Sequence, residues 1–408
     1  MKTNPRILKI ALSVPEWGLN EIKYVIEYLL NHNKEDTLLK LEKEICSVLN
    51  IKYCITTSLG REALYIALKC LGIKEGDGVI LPSFGCKSIL DPIVMLGGIP
   101  QFADIEEDFN IDPKSIAKII NSKTKIIILP HLFGKSAEIE KIINIAKEKN
   151  LYLIDDAAQA LGGKYGEKYL GTMGDFGILS FGPFKGIMAT RGGALLTNDE
   201  QLYKKAKQIF IEDSSEKESI NRFIKYYLKY RLRKYTFFLI EGLKKKGKDK
   251  EYQDKSPNYL LKMPLRKISK VDSSIAICQI NKLTEIINRR KRIAYKLLSL
   301  LYDIQEINLP KTGNDDHVFT KFVLSLRNNN AGNHLSPAED FVTYLRYHGI
   351  EAEPWCYIPL HLNGKFNIGN GLTKTEMIWK NVVGLPIHTK MTDSNILYMA
   401  KVVRSYFE

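Results

Sequence analysis

Two short segments hold residue types that could do chemistry together. The first is Asp155-Asp156-Ala157-Ala158-Gln159, directly after the apolar run 151–154. Two carboxylates at the tip of a buried strand are costly unless a cation or a hydrogen-bond donor meets them. Three readings fit. An aspartate there can cap a helix. It can hold Mg²⁺ as a Walker B element, which also needs a GxxxxGK[ST] loop. The nearest candidate is Gly134-Lys135-Ser136, and Leu129 stands where the first glycine belongs, so that phosphate cradle is incomplete. Third, a carboxylate can pair with a protonated pyridine nitrogen and keep the ring an electron sink.

The second segment runs from the apolar stretch 178–181 into Gly182-Pro183-Phe184-Lys185. Glycine and proline place Lys185 in a loop off a strand end. Most loop lysines are simply solvated, so Lys185 alone says little. Ser180, five residues earlier, changes that reading. Its hydroxyl can hold a phosphate while the lysine amine reaches an aldehyde on the same ring. Such an amine forms a Schiff base and, once released, serves as a general base. Gly192-Gly193 then lets the backbone turn into the next strand. Upstream, Thr56-Thr57-Ser58-Leu59-Gly60-Arg61 precedes the helical pattern 62–70. It reads either as a plain capped helix or as an anion site, where free N–H groups and the helix dipole meet a ligand.

Positioning these residues requires a sheet. Short apolar runs at 79–81, 126–129, 151–154, 178–181 and 194–196 read as buried strands, each near Gly, Pro, Asp or Asn. Helical patterns at 62–70 and 139–148 lie between them. This alternation predicts an α/β fold with a mostly parallel sheet covered by helices. In such sheets ligands bind at the carboxyl ends of strands. Farther on, 269–301 reads as one long helix, with Ile275, Gln279, Leu283, Ile286 and Ile287 on a helical period. A strand at 319–324 and helices at 338–348 and 393–406 predict a smaller α+β C-terminal domain. The division is therefore a large domain over 1–213, an insert over 214–262, and a long helix with the small domain over 263–408.

Composition excludes several classes. The chain has 408 residues, 45% hydrophobic and 26% charged, which is globular and more than one small core can use. No repeat of solenoid length is visible. The first twenty residues lack the h-region of a secretory signal. No stretch is long and apolar enough for a spanning helix. The six cysteines form no CxxC pair, so neither a zinc knuckle nor a thioredoxin motif is indicated, and scattered thiols suit a reducing cytoplasm. The net charge of +14 is largely local, because residues 217–250 carry twelve Lys or Arg against three Asp or Glu. That insert reads as a solvated, lysine-rich surface helix or as one that lies on an anionic membrane leaflet. Ile220, Phe223, Ile224, Tyr227 and Tyr230 supply its apolar period. Its longest uncharged run, 235–240, cannot span. It carries no nucleic-acid-binding fold motif, and no nucleic-acid partner is expected.

The order and spacing of the motifs are more specific than any one of them. TTSLGREALYIAL, LPSFGCKSILDPIVMLGGIPQFADI, NIDP, PHLFG, LIDDAAQALG, GDFGILSFGPFK and GGALLTND follow one another, and GIEAEPWCYIPLH and LPIHTKMTD come later. Together they resemble the DegT/DnrJ/EryC1/StrS sugar aminotransferases, enzymes of the PLP-dependent fold-type I class. The resemblance covers most of the chain outside the insert. It implies pyridoxal 5'-phosphate (PLP) as cofactor and Lys185 as its Schiff-base lysine. It also implies Asp156 as partner of the pyridinium nitrogen, Gln159 against the ring near its 3′ oxygen, and Ser180 on the phosphate. Gly60 and Arg61 occupy the phosphate turn, usually Gly-Thr.

Three positions depart from the family pattern. Cys86 stands where an aromatic residue usually stacks on the cofactor. Thr190-Arg191-Gly192-Gly193 replaces a GEGG stretch. Leu265-Arg266-Lys267 lacks the asparagine of an Asn-x-Arg element that a partner subunit lends to the phosphate. These departures motivate an alternative, a catalytically reduced sugar- or cofactor-binding scaffold. Sugar dehydratases of this fold replace the lysine, and its presence here favours transamination. The resemblance thus implies ping-pong transfer of an amino group from an amino-acid donor, glutamate, to a nucleotide-linked keto-sugar. The setting would be surface polysaccharide or glycan biosynthesis, by a cytoplasmic homodimer whose insert touches the inner membrane face in the second of its two readings.

Overall fold

Alternating apolar runs and glycine-bounded turns build a central sheet of seven strands. In chain order these are β1 (Tyr53–Thr57), β2 (Gly78–Pro82), β3 (Ile99–Ala103), β4 (Thr124–Pro130) and β5 (Tyr152–Asp156). After a two-residue hairpin, β6 (Lys164–Tyr165) with β7 (Lys168–Tyr169), come β8 (Phe176–Ser180) and β9 (Gly193–Thr197). The computed structural model describes residues 8–30, 37–209, 212–245, 263–313, 317–327, 336–354, 359–362 and 371–408.

The strand order is β1-β9-β8-β5-β4-β2-β3. Neighbours from β8 to β3 are parallel, and β9 runs antiparallel to both β8 and β1. The expected mostly parallel α/β sheet is therefore present. All five expected strands occur, and β1 and β3 join them. The five residues of β2 are all buried, as are those of β9, because helices cover both faces. One face takes the helix Gly60–Cys70 through Ala63, Ile66 and Ala67. The other takes Ile139–Glu148 through Ile139 and Ile142.

The smaller C-terminal α+β unit has an antiparallel sheet of its own: β10 (Ile307–Asn308), β11 (Phe322–Leu326), β12 (Glu353–Pro354) and β13 (Val382–Leu385), in the order β10-β11-β13-β12. Helices Pro337–Tyr347 and Asp393–Phe407 pack on it around Phe322, Phe341, Val383 and Met399. Two expectations change here. The strand expected from 319 starts at Phe322, because the preceding residues bond to the large unit instead. Val318 N–H donates to Gly134 O at 2.9 Å and Lys321 N–H to Phe133 O at 3.4 Å.

The single helix expected over 269–301 is two helices, Lys270–Ile280 and Leu283–Leu301. Residues 271–280 are buried on every side, whereas the second helix is amphipathic. One continuous stripe cannot serve both environments, and the chain breaks at Asn281-Lys282.

The insert begins with the helix Glu216–Lys245, and residues 246–262 lie outside the described ones. Its expected apolar stripe mostly faces inward. Phe223 packs 5.0 Å from Trp17 and 6.2 Å from Tyr227, and Ile220 joins the same core. Of the five, only Ile224 is largely exposed. It shares the outer side with Leu228, Leu232 and Tyr235. Among the described residues no helix is long and apolar enough to cross a membrane. Cys46, Cys54, Cys70, Cys86 and Cys278 are free thiols, and Cys356 lies outside the described residues.

Candidate active site

The parallel strands deliver their carboxyl ends to one edge of the sheet, and β1 ends there too. A cavity of about 350 Å³ opens at that edge. Gly60, Arg61, Cys86, Asp156, Gln159, Ser180 and Lys185, all seven residues singled out from the sequence, line it, together with His131 and Arg191.

Asp155 and Asp156 have different tasks, which sequence could not separate. Asp155 is fully buried and spent on structure. Its Oδ1 lies 2.7 Å from His131 Nε2, and its Oδ2 accepts from Met173 N–H at 3.0 Å. His131 Nδ1 accepts from Ala137 N–H at 3.0 Å, so the ring proton sits on Nε2 and points at Asp155. Asp156 lines the cavity and accepts one bond, from Ala158 N–H at 2.9 Å. Burial pushes its carboxyl above the usual range, against the pull of the Ala158 N–H and the Lys185 ammonium. No helix follows Asp156, so helix capping is not its role. The Walker reading also falls, because Lys135 faces a different cleft and pairs with Asp108 at 3.2 Å.

Ser180 and Gly60 form a cradle. A Cβ on Gly60 would come within 3.1 Å of both Leu179 O and Ser180 Cβ, so a larger residue would push the helix start a few tenths of an ångström from β8. Gly193 has the same constraint from the other side, since its Cβ would lie 2.5 Å from Gly60 N. Leu59, at the helix cap, contributes no side-chain hydrogen bond to the first turn. Arg61 pairs with Asp91 at 3.4 Å, and its buried Nε has no partner among the described residues. An uncapped helix start, a serine hydroxyl and an orphaned guanidinium N–H fit a phosphate.

The Lys185 loop is tied down at both ends. Phe181 N–H donates to Gly192 O at 2.9 Å, and Ala189 N–H to Phe181 O at 2.8 Å. Arg290 Nη1 donates to Gly186 O at 3.0 Å, and Trp17 Nε1 to Met188 O at 2.6 Å. Phe184, just before the lysine, holds a left-handed φ of 64°. The Thr190-Arg191 departure has its own anchor. Both backbone N–H groups and the Thr190 hydroxyl donate to Asp272 Oδ1 at 2.6–3.2 Å. Cys86 Sγ sits 3.0 Å from Ser88 Oγ and offers no ring face. Arg266 does not line the cavity of its own chain. Its carbonyl accepts from Ser58 N–H at 2.7 Å.

Sequence reasoning missed the outer layer. Gln159 is held from the small unit, where the Thr320 hydroxyl donates to Gln159 O at 2.6 Å. Trp17, Asp272, Thr320 and Lys321 carry no local motif. His131 had a signal, the PHLFG segment.

A buried acid, a loop lysine and a phosphate cradle around one cavity are what a phosphorylated pyridine aldehyde requires. Residues 19–404 match the family described as the DegT/DnrJ/EryC1/StrS aminotransferase family. The chain belongs to that family. It is a PLP-dependent aminotransferase of fold type I. It is 25% identical to the spore coat polysaccharide biosynthesis protein SpsC of Bacillus subtilis, over 97% of this chain and 96% of that protein. It is 37% identical to the GDP-perosamine synthase of Escherichia coli O157:H7, over 48% of this chain and 54% of that one. Among solved structures it resembles Helicobacter pylori PseC, an aminotransferase involved in the biosynthesis of pseudoaminic acid. The TM-score is 0.77 at 20% identity, covering 98% and 99% of the two chains. PLP fits the residues present, which hold a partner for each of its phosphate, ring nitrogen and aldehyde.

Proposed function

We propose that the enzyme moves an amino group from glutamate to a nucleotide-linked keto-sugar, in the making of a surface polysaccharide or glycan. The observation that carries this is the convergence of Lys185, Asp156, Ser180 and Gly60 on one cavity, in a family whose relatives act on sugars. PLP, when bound, supplies an electron sink for the carbon that gains and loses a proton. Asp156 would face the ring nitrogen and hold a proton there. Ser180, the helix start at Gly60 and Arg61 would hold the phosphate. Lys185 would hold the aldehyde end and serve as the base that moves a proton at the substrate carbon. Gln159, whose backbone carbonyl Thr320 holds, would lie against the ring.

The visible absorption of the cofactor-loaded protein tests the assignment. Lys185→Ala should lose the band of the lysine-bound cofactor, and glutamate should bleach that band in the wild-type protein. A wild-type band that no amino donor bleaches would contradict transamination.

Two assembly features belong to the same reading. The enzyme works as a homodimer, as the family resemblance implies, and the insert docks on an anionic leaflet at the inner membrane face. The outer side of Glu216–Lys245 supports the second feature. Ile224, Leu228, Leu232 and Tyr235 are 49–64% exposed there. Exposed Lys217, Lys225, Lys229, Arg231 and Lys234 flank them, a pattern that suits acidic headgroups. Vesicles with and without phosphatidylserine should pellet the wild-type protein selectively, and a Leu228→Glu/Leu232→Glu variant should stay in solution. Equal pelleting would sink this docking. A changed mass in solution for the variant would place the stripe in the subunit interface instead.

A further inference from the structure

The chemistry assigned to Lys185 leaves a second buried lysine without a task. Lys321 enters β11 from the seam between the two units, and its side chain is only 11% exposed. Its backbone N–H reaches Phe133 O, and its neighbour Thr320 holds Gln159. The ammonium lies 3.1 Å from Glu353 Oε2. It also sits 5.3 Å from the ring centroid of Phe184, the residue before Lys185. Burial lowers its pKa to about 8, with Glu353 opposing the shift and Lys185 adding to it. On its far side Lys321 borders a second cleft of about 450 Å³, shared with Lys135, Phe133, Val323, Arg327 and Met377. Lys321 thus stands between the loop that carries Lys185 and an open cleft of mixed charge, which Glu107 and Asp108 also line.

We propose that the Lys321–Glu353 pair recognises hydroxyl groups of the acceptor sugar and sets which keto-sugar the enzyme accepts. This rests on the sugar aminotransferase reading. Three arguments carry it. Burying an ammonium is unfavourable unless it is paired and hydrogen-bonded, so Lys321 and Glu353 hold each other in place. The pair is neutral as a whole, so it offers a second carboxylate, that of the amino-acid donor, little attraction. An ammonium beside a carboxylate presents donors and acceptors about one hydrogen bond apart, which matches adjacent hydroxyls on a sugar ring. A site built to bond a hydroxyl rejects an analogue lacking it by factors that reach about 10⁴–10⁵. The cleft beyond then takes the phosphorylated end, with Arg327 on its wall; Lys135 there is held by Asp108 at 3.2 Å. Lys321 is accordingly a specificity-determining residue.

The test separates the two halves of the reaction. Exchange of labelled glutamate with 2-oxoglutarate needs no sugar. Consumption of GDP-4-keto-6-deoxymannose needs both. Lys321→Met should keep the visible band of the bound cofactor and keep the exchange rate within about twofold. It should raise KM for the keto-sugar at least 30-fold, on the order of a 2 kcal/mol loss at 1.4 kcal/mol per factor of ten. Glu353→Gln should move the same constant in the same direction by less, and Lys321→Arg should recover part of the loss. Equal loss of exchange and sugar turnover would overturn the proposal, as would no change in either. A wild-type protein with neither band nor exchange would instead count against the aminotransferase reading. The affinities of wild-type and Lys321→Met protein for the same nucleotide sugar would still decide the role of the pair.

Discussion

The floor of the cavity and the wall that stands behind it are held by different kinds of structure. Asp156 and Ser180 sit at strand ends of one sheet, and the ladder fixes their relation. Asp156 stands opposite Ile178 in β8, and Ser180 opposite Gly193 in β9. Gly193 is also opposite Thr57, which leads into the Gly60 turn. The wall is the segment 317–321 with Glu353, which backs Gln159 and Phe184 from the neighbouring cleft without lining the cavity itself. It reaches the floor through docking contacts across 161 residues of sequence, in the case of Thr320 and Gln159. Backbone pairing makes the floor insensitive to what happens in the small unit. The wall depends on the cores of the two units meeting correctly. The floor therefore suits the invariant chemistry of the cofactor, and the wall suits the choice of substrate.

The sharpest way to break this contrast is at the floor. Asp156→Asn removes the negative charge that faces the ring nitrogen and leaves the strand intact. Turnover should fall on the order of 10²–10³-fold, the usual cost of losing a preorganised electrostatic partner. Cofactor should still load, because the Ser180 cradle is untouched. Steady-state rates beside the visible spectrum check both statements. Normal turnover in this variant would mean that the acid at the end of β5 is only structural, like its neighbour Asp155.

The same contrast explains what could be read from the sequence. Lys185, Ser180 and Asp156 are separated by short distances along the chain and by one ladder in space, so their spacing suggested a common site and the family resemblance joined them. Strands β1 and β3 escaped notice because YCITT and IPQFA are short and interrupted by polar residues or proline. The Asp155–Asp156 ambiguity needed His131, which follows a different strand, β4. Lys321 left no signal at all. A lysine before a strand is ordinarily solvated, and only the docking of two units buries it. The insert misled for a related reason. Its apolar period is real, but Trp17, 206 residues before Phe223, claims that face for the protein's own core.

At the wall, Thr320→Val is nearly isosteric and removes only the hydroxyl that donates to Gln159 O. A buried carbonyl that loses its donor costs about 1–3 kcal/mol. The protein should lose that much stability toward urea and retain the visible band. The rate with keto-sugar should fall more than glutamate exchange. Loss of the band would break the comparison, since it would show that the wall also holds the cofactor.

The smallest effect is expected from acid. Burial lowers the pKa of His317 to about 3 and that of His388 to about 4. Both histidines belong to the C-terminal unit, and His317 sits in the seam, stacked 3.8 Å from Phe319. Unfolded, each would titrate near its ordinary value of about 6.5. The unfolded chain therefore takes up protons that the folded chain refuses, and stability is lost as pH falls through that value. Linkage gives about 0.7 kcal/mol per histidine between pH 7 and pH 6. Urea midpoints at the two pH values should show the loss, and His317→Gln should remove half of it. An unchanged pH dependence in that variant would mean that His317 is already charged or exposed, and that the wall is not seated on the floor through this segment.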